Sequence, residues 1–125
     1  MARKNVVFDI VLCVLLLCLL STVFTTLFCE KTSVFGTRVY YIMTESMYPV
    51  IEPGQLVFGV DINPEKIKTG DIVSYDGGDM TIIHRVAEII EDEGGRSFIF
   101  KGDNNQKPDE KPVSPEQILF KIVLY

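Results

Sequence analysis

Cysteine is missing from nearly all of this chain. Cys13, Cys18 and Cys29 all lie at the N-terminal end of its 125 residues. Residues 30–125 therefore hold neither a disulfide framework nor a zinc site. Cys29 reads as a small apolar residue at a helix end rather than a link between chains. Histidine is almost absent too, with His84 alone, so chemistry that needs an imidazole has one place to happen. Positive charge is scarce: 12 Lys and Arg stand against 17 Asp and Glu, a net −5. Residues 1–29 contribute only Arg3, Lys4 and Asp9 to that balance, so the acidic excess lies in the rest. An acidic surface repels phosphate backbones, which excludes nucleic acid as a partner and gives no anionic-lipid patch. Helical periodicity is also lacking after residue 29.

What is present first is a long apolar run. Ile10 to Cys29 carries no charge, and at ~1.5 Å per residue a helix of that length crosses the roughly 30 Å hydrocarbon core of a bilayer. A cleaved leader has a shorter apolar stretch and a small-x-small site. Here Thr26-Leu27-Phe28-Cys29-Glu30 follows instead, so the run reads as a permanent anchor. Arg3 and Lys4 precede it, while Glu30 offsets Lys31 on the other side. The positive-inside rule then expects residues 1–9 in the cytoplasm, 10–29 as the transmembrane anchor and 30–125 as a domain outside the cytoplasm.

That domain is strand-like and well punctuated. Val39–Met43, Leu56–Val60, Ile72–Tyr75, Met80–Ile90, Ser97–Lys101 and Ile118–Leu124 are rich in β-branched and aromatic residues. Pro49, Pro53-Gly54, Asn63-Pro64 and Gly70-Asp71 break the chain between them. Asp76-Gly77-Gly78-Asp79 and Asp92-Glu93-Gly94-Gly95 are hairpin signals. Asp103 to Pro115 is a polar loop, and Pro115-Glu116-Gln117 is at most one helical turn. The expected fold is an antiparallel all-β domain behind one N-terminal transmembrane helix.

Three segments could carry chemistry. Thr44-Glu45-Ser46-Met47-Tyr48-Pro49 puts a serine between a strand and a proline-constrained bend, although serine is also an ordinary turn residue. In Thr81-Ile82-Ile83-His84-Arg85-Val86-Ala87, period-two alternation places Ile82, His84 and Val86 on one face. Apolar neighbours favour a neutral imidazole, the form a general base needs. A buried structural histidine fits the same pattern. Lys101-Gly102-Asp103-Asn104-Asn105, with Asp109 beyond, is a tight polar corner whose two carboxylates could approach a histidine. It could equally be a solvated loop with Asx turns. Calcium is a weaker fit, because the EF-hand spacing is absent.

Taken in order behind one span, Ser46-Met47-Tyr48-Pro49, His84-Arg85-Val86, Lys101-Gly102-Asp103-Asn104-Asn105 and Asp109 resemble type I signal peptidase. The resemblance is to the ER, archaeal and sporulation-type branch, in which histidine is the base, and it covers roughly Val39 to Asp109 plus the anchor. It implies Ser46 as nucleophile, His84 as general base, and Asp103 or Asp109 as the carboxylate that orients the imidazole. It implies an oxyanion site from the Ser46 backbone N–H and the Thr44 hydroxyl. Tyr41, Ile42 and Met43 on one strand and Thr81, Ile82 and Ile83 on another would flank an extended signal peptide. No metal or cofactor is implied. The expected activity is removal of signal peptides from exported preproteins at the cell membrane, with signal peptides and the lipid bilayer as partners and the need for partner subunits left open. In that family a second apolar span often follows the last strand, whereas this sequence ends at Tyr125.

Two other readings share parts of this pattern. A membrane-tethered binding module of the same fold would need no joint retention of Ser46, His84 and both aspartates. A self-cleaving repressor-type peptidase has a similar fold, but it uses a lysine base and carries a DNA-binding domain.

Overall fold

A computed structural model describes residues 5–28 and 35–125. The orientation argument rests on Arg3, Lys4, Glu30 and Lys31, and these, with Cys29, lie outside the described residues. Helix α1 (Val6–Phe28) begins earlier than the uncharged run because Val6, Val7 and Phe8 continue the apolar pattern. Asp9 falls in its first turn, where a carboxylate meets the positive end of the helix dipole. The helix is apolar on all sides, and its side chains are exposed from Val6 to Phe24. A helix of this kind and length is suited to lipid rather than to a folded core.

The remaining elements form one six-stranded sheet: β1 (Thr37–Tyr41), β2 (Leu56–Val60), β3 (Ile72–Asp76), β4 (Thr81–Asp92), β5 (Gly95–Lys101) and β6 (Ile118–Leu124). The spatial order is β1-β2-β6-β3-β4-β5, and every neighbouring pair is antiparallel. The expected antiparallel all-β architecture is therefore present. Strand β1 differs from expectation, spanning Thr37–Tyr41 rather than Val39–Met43. Ladder pairing with β2 stops at Tyr41 because the chain turns into the bend at Ser46, and Ile42 keeps two bonds across to Gln55 and Gly54. The turn at Asn63-Pro64 is a single 3₁₀ turn, Pro64–Lys66, with the Asn63 side chain capping Glu65.

Strand β3 is the spine. Ile72, Val73, Ser74 and Tyr75 are all buried, and alternate side chains feed opposite faces. One face carries Ile67, Val73, Tyr75, Val86, Phe98, Phe100 and Val113. The other carries Ile42, Met47, Ile51, Val57, Ile72 and Ile122. Full burial of side chains this size contributes about 1.5–3 kcal/mol each. Buried Ser74 has its polar capacity filled: it donates to the Phe120 carbonyl at 3.2 Å and accepts from the Phe120 N–H at 3.1 Å, with the Tyr40 hydroxyl at 3.0 Å. This serine bridges β3 to β6 beside a register shift in their ladder.

The β4–β5 hairpin sets the geometry of the site. Its register runs from Arg85↔Lys101 to Asp92↔Gly95, with a shift at Ala87. The extra residue reverses the parity of the strand. Val86 and Ile89 thus both pack on the first cluster, opposite Phe100 and Phe98. Beyond Lys101 the pairing ends, so Thr81–His84 keep β3 as a ladder partner and have none in β5.

Phe98 is fully buried between β4 and residue Val113, with which it exchanges two backbone hydrogen bonds. Phe98→Ala should lower stability by about 3–5 kcal/mol, measured by denaturant unfolding of the full chain in detergent. A loss under about 1 kcal/mol would mean that this cluster is not the core.

Candidate active site

Ser46 occupies the bend after β1. The residue following it, Met47, is buried, and so is Ile51. Tyr48 N–H bonds to Glu45 and Ile51 N–H to Met47, both at 3.0 Å. Two apolar plugs and two backbone bonds hold the bend, leaving Ser46 half-buried and Thr44 exposed. Their hydroxyl oxygens lie 3.3 Å apart. The Ser46 carbonyl accepts from the Asn104 N–H at 2.9 Å.

That bond requires the glycine at 102. A Cβ there would lie 2.6 Å from the Ser46 carbonyl oxygen, a backbone atom that cannot rotate away. Gly102 directly follows the Lys101–Arg85 pair and so runs alongside β4 at His84. The chain then turns, with Asn105 N–H bonded to the Gly102 carbonyl, and returns to β5 through a bond from Asp109 N–H to the Phe100 carbonyl. One loop therefore braces the Ser46 bend and delivers Asp109.

The two aspartates have different tasks. Asp109 Oδ2 lies 2.8 Å from His84 Nδ1. An ionised carboxylate only accepts, so Nδ1 carries the proton and Nε2 of the neutral ring keeps its lone pair. Asp103 instead holds Arg85, with Nε to Oδ1 at 2.8 Å and Nη2 to Oδ2 at 2.6 Å. This fork also donates to the Gly70 carbonyl at 2.9 Å. Contact with Asp103 raises the Arg85 pKa further, so the pair stays ionic and clamps the start of the loop to β4. Of the two carboxylates expected to approach the histidine, Asp109 reaches it, and Asp103 serves the neighbouring residue on the opposite face.

His84 is buried, and Val86 and Ile82 pack on the same side, as alternation predicts. Sequence reasoning missed Tyr75. Its hydroxyl donates to the same Asp109 Oδ2 at 2.7 Å. Burial first, then the Asp109 bond and charge, push the phenol pKa well above its ordinary value, so it remains a donor. The available signal was period two on β3, which puts Tyr75 on the face of Val73, the cross-strand partner of His84.

The expected substrate strands are both at edges. Ile42 itself is buried, and its N–H and C=O are bonded to Gln55 and Gly54. Exposed Tyr41 and Met43 flank it. Thr81, Ile82 and Ile83 pair with Asp76, Tyr75 and Ser74 and have no β5 partner. Ile82 packs on the first cluster and Ile83 on the second. A cleft of about 880 Å³ is lined by Tyr75, Ile82, Asp109 and the loop from Asn104 onward. Neither Ser46 nor His84 lines it. The serine bend belongs to the strand edges rather than to a closed cavity. Among the described residues no cluster of His, Cys, Asp and Glu could hold a metal.

The Asp109–His84 pair and the Ser46 bend are thus tied through one loop, near two open strand edges of the β-domain. Comparison with known proteins finds signal peptidases. The chain is 35% identical over 74 residues to the signal peptidase complex catalytic subunit SEC11C of human and of dog, covering 57% of this chain and 38% of theirs. It is 26% identical over 117 residues to signal peptidase I W of Bacillus subtilis, covering 92% of this chain and 62% of that protein. No family model matches. The chain thus spans well under two thirds of the SEC11C proteins it matches. The chain is thus similar to signal peptidases, both the catalytic subunits of the complex and the Bacillus enzyme.

Asp103→Ala should lower stability by about 1–2 kcal/mol, since the ion pair is charge-assisted but partly exposed. Gly102→Ala should displace the loop and strip hydrogen-exchange protection from the Asn104 N–H. Full protection of that amide in Gly102→Ala would show that the close approach to Ser46 is not needed.

Proposed function

We propose that the chain is a membrane-anchored serine endopeptidase that removes signal peptides from exported preproteins. The observation that carries this is the His84 Nδ1–Asp109 Oδ2 bond of 2.8 Å on the loop that also holds the Ser46 bend. Asp109 fixes the tautomer, so Nε2 can take the Ser46 proton as Oγ attacks the scissile carbonyl. The oxyanion is met by the Ser46 N–H and the Thr44 hydroxyl, whose oxygen lies 3.3 Å from Oγ. The His84 imidazolium then protonates the leaving amine, and water releases the acyl group from Ser46.

An extended signal peptide would add to the sheet edges through the main chain of Tyr41 and Met43 on one side and Thr81–Ile83 on the other. The anchor holds the site at the membrane, where such substrates arrive. The domain lies on the extracytoplasmic side of the cell membrane, with the N-terminus in the cytoplasm.

The test is mass spectrometry of a preprotein incubated with the full chain in detergent. The wild type should yield one discrete mature product. Ser46→Ala and His84→Ala should remain folded and lose roughly 10³-fold or more of the rate. Asp109→Ala should lower kcat far more than Asp103→Ala does. Cleavage near the wild-type rate by Ser46→Ala would leave a tethered binding module as the reading. The same result with His84→Ala would move the base to a lysine such as Lys101, which pairs with Arg85 rather than facing His84.

Topology has its own check. Asp79, exposed in the β3–β4 turn, tolerates a cysteine better than Gly77, where a Cβ would lie 2.6 Å from Ile82. Asp79→Cys in a Cys29→Ser background should react with an impermeant thiol reagent on intact cells. Reaction only after permeabilisation would place the domain in the cytoplasm and remove the proposed substrate.

A further inference from the structure

We infer that Tyr75 is a positioning residue, whose hydroxyl fixes the Asp109 carboxylate in the orientation that aligns His84. This rests on the reading of His84 as general base. Asp109 sits on a loop, and rotation of a carboxylate about its last bond is only weakly restricted. A single bond to an imidazole would leave it free to swing. Here Oδ2 accepts from His84 Nδ1 at 2.8 Å and from the Tyr75 hydroxyl at 2.7 Å, and two converging donors define one orientation.

Tyr75 is built for the task. It lies on β3, the strand buried on both faces. Its ring stacks on Phe100 with centroids 4.5 Å apart and planes 23° from parallel. Phe100 also provides the carbonyl that holds the Asp109 N–H at 2.8 Å. Side chain and main chain of Asp109 are thus referred to the same stacked pair. His84 pairs with Val73, two residues from Tyr75 on the same strand face. Phenol and imidazole are therefore diagonal neighbours fixed by the β3–β4 register. Any buried tyrosine hydroxyl needs an acceptor, but that need alone does not select the oxygen already used by the imidazole. Tyr75 touches no reacting atom, so its effect on turnover passes through Asp109.

The experiment uses the full chain in detergent with Tyr75→Phe, which keeps the ring stack and removes the hydroxyl. Tyr75→Phe should lower kcat about tenfold with KM unchanged. In an Asp109→Ala background the same substitution should change kcat by less than about twofold. Because the chain has one histidine, the imidazole N–H signal in ¹⁵N-edited NMR reports on this site alone, and it should move in Tyr75→Phe. The inference is overturned by any of three results: wild-type kcat in Tyr75→Phe, an equal loss of kcat in both backgrounds, or an unmoved imidazole signal. If instead His84→Ala cleaves like the wild type, the general-base reading fails. The NMR signal then still decides whether Tyr75 sets the Asp109–His84 pair.

Discussion

The Asp109 carboxylate is the point on which the site depends. One of its oxygens receives the imidazole and the phenol, and its backbone is tied to β5. Such a loop residue is useful only if the loop is itself held. Three contacts hold it: the Arg85–Asp103 fork at its start, the Asn104–Ser46 bond in its first turn and the Asp109–Phe100 bond at its end. Removing the side chain of residue 102 is what lets the loop lie against the serine bend at all. The Ser46 bend and the Asp109–His84 pair are thus tied through one loop, although Met47 belongs to one core cluster and the histidine faces the other.

The sheet explains why this site sits at an edge. Strand β5 ends opposite Arg85 while β4 continues to Thr81, which exposes a stretch of β4 directly beside His84. Strand β1 is the other border of the sheet, and the serine bend follows from its end. A site of this construction suits an extended chain better than a compact ligand, because main-chain pairing demands little of the substrate's sequence. Tethering by an apolar helix suits substrates that are themselves delivered at a bilayer.

Much of this was legible in the residues. Runs of Val, Ile, Tyr and Phe between Gly, Pro and Asp marked six strands close to where they occur. Alternation placed His84 with Ile82 and Val86 correctly. Order along the chain singled out Ser46, His84 and the Gly102–Asp109 loop. What escaped were quantities fixed by tertiary register. Asp103 and Asp109 are equivalent as letters, and only the loop's path sends one to Arg85 and the other to His84. Tyr75 reads as an ordinary core aromatic until the β3–β4 pairing sets it across from the histidine. Ala87 gives no local sign that it will be the extra residue that reverses β4. Ile42 reads as a substrate contact, yet its side chain joins Tyr40 on the second core cluster and its main chain is bonded to Gly54 and Gln55.

The proposed chemistry is covalent: Ser46 would become acylated as His84 removes its proton. The most direct measurement is acid-quenched intact-mass and peptide mapping of the full chain after brief reaction with an ester of a short peptide ending in alanine. Esters acylate faster than amides and allow the intermediate to accumulate. The account predicts one acyl adduct, mapped to Ser46, that is absent in His84→Ala. An adduct on Thr44 or Lys101, or an equally rapid adduct on Ser46 without the histidine, would contradict it.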